Sequence, residues 1–421
     1  MKQWLDVASQ DSALMHQFLT VCSFGGRRSG SGQDEQALQW VSEQMQNAGY
    51  MMQTVSVPYE GWHCSQARLQ LKSNGQALAL HPLLRSASTP EQGVELSCVD
   101  LGAGRVADFE RLGAEIEGKA VLVEHEYPFS ATHLHRRRKY EMAVKYGAAA
   151  FLIASPWAGH GLLSGSSGRP RHGAGIPSAY IDFESAQLLR AKPHQRIILT
   201  IQGHEQENSM APIGVFDVQG GLPGTIVLSA HMDGHELGES ALDNASGVAV
   251  ALATFRALAP LVGATTPSLR LCLFCAEEWA LSGSAYYLDH MVKADREDIR
   301  LNINLDTVAG DMRLTALLSD FPELKSYVLE AAEQAELALD TWLPLMPNSD
   351  HANFARHGIA AFRLVAGFEQ PDSKVNRILS AGDTRGVVLE EELRQALRLS
   401  CALGHLALTM PQSRLTQLSL R

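Results

Sequence analysis

After Pro212 the chain alternates apolar runs of strand length with stretches of helical periodicity, and several of the apolar runs end on acidic or imidazole residues. The strand-like runs are GTIVLSAH, SLRLCLFCAE, IRLNINLD and IAAFRLV. Between them lie GVAVALATFRALA, SGSAYYLDHM and ELKSYVLEAAEQAEL, and a long helix is predicted from about residue 389. Parallel strands need a long crossover, usually helical, so this alternation predicts an α/β fold: a mostly parallel sheet flanked by helices. Open sheets of this kind gather ligands at the carboxyl ends of their strands. His231-Met232-Asp233, Glu277-Glu278 and Asp306 each follow a strand-like run, and Asp243-Asn-Ala-Ser-Gly247 opens a helix. Four sequence-distant clusters are thereby expected to converge on one crevice.

The first half of the chain has another texture. Leu38, Val41 and Met45 recur at helical spacing and predict a helix over 34–47, after the Gly-rich turn GGRRSGSG. From 62 to 205 short strand-like runs such as KAVLVEH, AAFLIAS and PSAYIDF alternate with Gly and Pro turns, which predicts a β-rich inserted second domain. With 421 residues the chain exceeds one ordinary core, so two domains are expected, 1–61 with 206–421 and the insert 62–205. The Gly-rich stretch 158–175 has little apolar content; it is expected to be mobile and to overhang the pocket, restricting substrate length. The basic run His135-Arg136-Arg137-Arg138-Lys139 reads as a solvated helix start. Cys272 and Cys275 have C-x-x-C spacing but lie in an apolar run, so they read as buried strand residues, and the GAG at 102–104 reads as a loop.

Net charge is −11, with the acids scattered rather than in blocks, which argues against nucleic acid or an anionic membrane as partner and leaves a peptide or small amide substrate. Acids interrupt the N-terminal segment where a secretory leader needs an unbroken apolar core. The six cysteines are widely spread rather than arranged as a disulfide framework. A soluble cytoplasmic protein is the expectation, with a homo-oligomer left open.

Crowded carboxylates repel one another and resist burial unless cations neutralise them. Metal is the economical explanation, and a mixed imidazole and carboxylate set without thiolate favours zinc, with manganese or cobalt tolerated. Asp243 offers one oxygen to each of two ions.

The order H-x-D, D-N-A-S-G, A-E-E, L-D and S-D-H resembles the co-catalytic zinc aminopeptidase family, whose relatives include glutamate carboxypeptidases. The turn at 25–31 is similar to the family's opening G-x-R-x-x-G-S. GKAVLV at 118–123, YEMAVKYGA and IPSAYID resemble a protease-associated insert. The resemblance implies that His231 and Asp306 bind one zinc, that Asp243 bridges, that Glu278 binds a second zinc and that Glu277 is the general base. It implies that Asp233 accepts a hydrogen bond from His231 and fixes its tautomer. The implied activity is that of a metallo-exopeptidase, foremost an aminopeptidase. A carboxypeptidase or small-amide hydrolase, or a degenerate binding protein, are the alternatives.

One position departs from the family. The stretch Arg377-Ile-Leu379-Ser-Ala-Gly-Asp383-Thr384 places Leu379 where the family's H-T-x-x-D-T has a zinc-binding histidine. Leucine cannot ligate zinc, so the second site either recruits another histidine, of which His351 and His235 are candidates, or is weak or empty. Asp350 is expected to orient substrate or structure.

Overall fold

The computed structural model describes residues 2–173, 175–192 and 195–420. The chain forms two compact units. The first takes the chain up to Tyr59, Met210–Ile378 and the chain from Asp383 on. The second takes Glu60–Ser209 together with the short segment Leu379–Gly382, which the sequence pattern had left with the first domain.

The first unit is built on an eight-stranded sheet in the order Gln53–Pro58, Met210–Val218, Ser268–Phe274, Thr225–His231, Ile299–Leu305, Ala360–Ala366, Leu314–Leu317, Asp340–Trp342. Its centre is parallel, with His231 level with Phe274 and Leu305 level with Leu364; Met210–Val218 pairs antiparallel with both its neighbours and Leu314–Leu317 antiparallel with Ala360–Ala366, while the edge strand Asp340–Trp342 lies parallel to Leu314–Leu317. The central strands are buried along almost their whole length, which is why they read as continuous apolar runs rather than alternating ones. Cys272 is fully buried within its strand, and Cys275 lies buried just beyond it.

Residues Ala241–Leu261 are long and apolar enough to cross a membrane, but 78% of their most apolar window lies inside the unit. The apolarity is that of a core helix, Ser246–Leu258, which packs against the strand Thr225–His231 and the long helix Glu390–Thr409. The predicted N-terminal helix spans Gln33–Asn47 and buries Ala37, Leu38, Val41 and Met45.

The second unit holds another eight-stranded sheet, ordered Ala77–Leu78, Gly61–Leu71, Arg196–Gln206, Val94–Asp100, Ala120–Glu124, Ala150–Ala154, Ser178–Ile181, Leu80–Pro82. Helices Val106–Ile116, Arg136–Lys145 and Phe183–Arg190 alternate with its parallel strands, so the insert carries more helix than its β-rich sequence texture suggests. The tripeptide at 102–104 is a loop before the first of these helices.

Two expectations for the insert are corrected. The basic run opens a helix as expected but is solvated only in part: Arg138 is exposed, whereas Lys139 is fully buried, and its amine donates to the Ala103 and Glu124 carbonyls at 2.6 and 2.8 Å beside the Glu126 carboxylate at 2.6 Å. Pairing with acceptors from remote loops is what allows a charge inside. Nor does the Gly-rich stretch lack packing. Leu163, Ser164, Ser166 and Ser167 are buried, Ser167 N–H and Oγ–H both donate to the Leu84 carbonyl, and Leu84 N–H donates to Gly165. Backbone and hydroxyl bonds do the work that apolar side chains do elsewhere; position 174 lies outside the described residues. Within the same unit Ser164 N–H donates to the Leu379 carbonyl at 2.7 Å, and Leu163 pairs with Ser380 in an antiparallel bridge.

Candidate metal centre

Three adjacent parallel strands deliver the site. His231 is the last residue of its strand, Glu277 and Glu278 follow Phe274 after a short turn, and Asp306 follows Leu305 directly. Asp243 comes from the irregular turn Ala241–Ala245 at the head of the core helix, where the Asp243–Asn244 peptide is cis. That turn is held from several sides. Asp383 accepts the N–H groups of Leu242 and Asp243 at 2.7 and 3.3 Å, while the Asn244 amide donates to Leu305 and accepts from Gly247 and Thr307. A side chain at 247 would bring its Cβ within 2.2 Å of the Leu305 carbonyl and 2.3 Å of the Asn244 amide, so glycine is required there. Ala276 and Thr307, next to Glu277 and Asp306, both have left-handed φ, of 51° and 58°. Such backbone costs about 1–3 kcal/mol per residue and collects at functional sites.

His231 Nε2 lies 3.1 Å from Asp243 Oδ1 and 3.6 Å from Asp306 Oδ1, and donor atoms of His231, Glu277 and Asp306 lie within 4.8 Å of one another, all buried. Nε2 makes no hydrogen bond. Zinc bonds of 2.0–2.1 Å in tetrahedral arrangement set donors about 3.3 Å apart, between the two measured separations, so the donor set fits the ion. Burial works against a charged imidazole at His231, but Glu277, Asp306 and Asp243 outweigh it and hold its pKa well above the ordinary value. Burial pushes the Glu277 carboxyl well up, His231 opposes this, and the Glu278, Asp306 and Asp350 charges add to the rise. Burial would raise Asp306 as well, yet the Arg363 guanidinium 3.0 Å away, with His231, holds it below the usual carboxylate range. Buried acid outweighs buried base in this cluster, which is the condition a divalent cation relieves.

Asp233 acts differently from the expectation. His231 Nδ1 faces the Asp233 main-chain carbonyl at 2.9 Å, and the Asp233 carboxylate is 3.9 Å off. That carboxylate instead accepts the backbone N–H groups of Glu277 and Glu278 at 3.1 and 3.3 Å, shaping the turn that presents both glutamates. A carbonyl acceptor fixes the imidazole tautomer as a carboxylate would, leaving Nε2 for the ion.

Residues 215–386 match Peptidase family M28 and residues 87–189 match the PA domain. The first unit is a peptidase family M28 domain. The second carries a PA domain. Aminopeptidase YwaD of Bacillus subtilis is 25% identical over 332 residues, 77% of this chain and 70% of the relative. Human carboxypeptidase Q is 26% identical over 289 residues, 65% of this chain and 60% of the relative. A zinc aminopeptidase from Bacillus subtilis superposes with a TM-score of 0.75 at 21% identity, covering 94% of this chain and 95% of the other. A peptidase M28 precursor from Shewanella amazonensis reaches 0.80 at 20% identity, covering 96% and 95%. At these identities the structural likeness establishes the fold.

In the M28 unit the remaining candidates fall in different places. Asp350 is buried near His231, Asp233 and Asp306, and burial pushes its carboxyl up to about 7. His351, the first residue of the helix His351–Arg356, is not among the close donors; burial and then Arg363 push its imidazole down to about 3. His235 and Glu278 also lie outside the close-donor group of His231, Glu277 and Asp306; His235 is buried beside Asp383, with Nε2 3.7 Å from Asp383 Oδ2. Leu379 has left-handed φ of 62° and is grouped with the PA unit rather than with the acids.

Sequence reasoning passed over two arginines of the M28 unit. Arg27, fully buried, donates to the carbonyls of Met232, Glu239 and Ser240 and so ties down the loop between His231 and Asp243. Arg363 pairs with the Asp306 carboxylate and also donates to the Asp306 carbonyl. Its signal was present in IAAFRLV: a lone arginine in a strand buried on both faces requires an anionic partner.

Proposed function

We propose that the M28 unit is a zinc-dependent exopeptidase that hydrolyses the N-terminal peptide bond of its substrates, with Glu277 as general base. The observation that carries this reading is the buried His231 Nε2, free of hydrogen bonds and flanked by Asp243 and Asp306 at zinc-donor spacing, with the Glu277 carboxylate beside it. His231, Asp243 and Asp306 would hold one ion, and Glu278 with Asp243 would serve a second. Zinc, when bound, polarises the scissile carbonyl and acidifies water.

Glu277 supplies the proton traffic. Its carboxyl has a raised affinity for protons, so it can take one from the attacking water and keep it until the leaving nitrogen needs it. As the water oxygen bonds to the carbonyl carbon and the carbon–nitrogen bond breaks, that proton passes to the departing amine. Asp233 keeps Glu277 in place by gripping its backbone N–H. Asp350, buried near the cluster, would hold a free α-ammonium group, whose positive charge would in turn draw its raised carboxyl into the ionised form. The similarity to carboxypeptidase Q supports a second reading, in which the free group recognised is a carboxylate.

Replacing Glu277 by Gln tests the assignment: turnover of an aminoacyl anilide is expected to fall about 10²–10⁴-fold while bound zinc is unchanged. Normal turnover would reject Glu277 as the base. Peptides blocked at one end or the other separate the two exopeptidase readings, since an aminopeptidase spares N-acetylated peptides and a carboxypeptidase spares C-amidated ones.

A further inference from the structure

The histidine that the family pattern places at 379 is a leucine here, yet the M28 unit buries another imidazole whose ring has no hydrogen bond. His235 is 2% exposed, and neither ring nitrogen has a hydrogen-bond partner. A polar ring buried this way sacrifices its hydration for nothing unless something else occupies it. Asp383 is its nearest acid, at 3.7 Å, which is beyond hydrogen-bonding distance. The same Asp383 oxygen accepts the Asp243 N–H, so His235 and the backbone that carries the bridging carboxylate share one anchor. The other negative charges acting on the ring are those of Glu278 and Asp243, the two carboxylates expected at a second ion.

The backbone around His235 is held as a ligand loop would be. Its N–H donates to Ser240 Oγ at 3.0 Å, and Arg27 ties Met232, Glu239 and Ser240 on either side. Gly26 packs so closely on the His235 carbonyl that a Cβ there would approach within 1.8 Å. Rigid placement of an otherwise unpartnered donor is what a metal site needs before the ion arrives.

We propose that His235 takes the place of the missing histidine as the imidazole donor of a second zinc, in company with Asp243 and Glu278. Asp383 would then face one ring nitrogen and leave the other for the ion, the carboxylate–histidine pairing common at zinc sites. The inference rests on the reading of this unit as a zinc peptidase.

The test is the zinc content of the full chain, reconstituted with zinc, gel-filtered and analysed for metal, in the wild type, His235→Ala and His351→Ala. Two equivalents are expected in the wild type and in His351→Ala, and one in His235→Ala. Two equivalents in His235→Ala, or one in the wild type, would overturn the assignment of His235 while leaving the first site standing. No bound zinc in the wild type would overturn the peptidase reading itself. Zinc-edge X-ray absorption on the two-zinc wild type requires no variant: an average of about one imidazole per ion is expected from His231 and His235, and half that would overturn the proposal.

Discussion

His231 in the M28 unit and His125 in the PA unit are both buried imidazoles, 1% and 8% exposed, and with no ion bound their surroundings shift their proton affinities in opposite directions. Around His231 stand Glu277, Asp306 and Asp243, which raise its pKa far above the ordinary value against the effect of burial. Around His125, burial is reinforced by Arg136, Lys139 and His133, and the ring is held neutral. The partners differ as well. His125 Nδ1 lies 3.0 Å from the Tyr180 hydroxyl, and the neighbouring Lys139 and Arg136 are bonded to carbonyls; His231 Nε2 and both nitrogens of His235 have no hydrogen bond. Both units bury charge, but His125 and Lys139 find their partners within the chain, whereas His231 Nε2 and the His235 ring are left for an ion. Burial of an ionisable group therefore does not by itself mark a site; an unsatisfied imidazole buried beside several carboxylates does.

Removing one cation from each cluster sharpens the contrast. Arg363→Met leaves Asp306 as a buried carboxylate without its guanidinium, and loss of one partner of a buried pair costs about 3–5 kcal/mol. The loss is expected in urea unfolding of the zinc-free chain and should shrink when zinc is present, because the ion supplies the missing charge. An equal loss with and without zinc would place Arg363 outside the metal's electrostatics. Lys139→Met is the smaller effect, about 1–3 kcal/mol, since its partners are two carbonyls and Glu126, a group still partly in contact with water. That loss should not depend on zinc, and the zinc content should stay at its wild-type value. A zinc-sensitive Lys139 variant would break the distinction between the two clusters.

The parts of this molecule legible in its sequence are those that depend on neighbours along the chain. Apolar runs of strand length, the spacing of Leu38, Val41 and Met45, and acids placed directly after strands follow from local periodicity, and they position His231, Glu277 and Asp306. What was not legible depends on partners far away in sequence. Lys139 is buried because the loops carrying Ala103 and Glu124 bring carbonyls to it, and no local pattern announces that. Asn302, Ser229 and Asn304, buried in strands that read as apolar, form a row linked by hydrogen bonds of 2.7–2.8 Å that ends on Ser349 in the turn before the helix His351–Arg356. The family resemblance gives the Asp233 carboxylate to His231, whereas the fold gives it the N–H groups of the glutamate turn.

The mildest test lies in the pH dependence of the PA unit. His125 has a folded pKa well below 6.5, so above about pH 6.5 the imidazole is neutral in both folded and unfolded chains and its contribution is fully present. As the pH falls, the unfolded chain takes up a proton that the folded chain refuses, and stability drops by about 1.4 kcal/mol per pH unit until the folded pKa is reached. His125→Asn removes that proton from both states. The wild type should therefore lose stability more steeply than the variant between pH 6.5 and 5, by about one proton's slope, whatever zinc release at acid pH adds to both. Equal slopes would mean that the His125 ring accepts a proton inside the folded unit, and the contrast between its surroundings and those of His231 would fail.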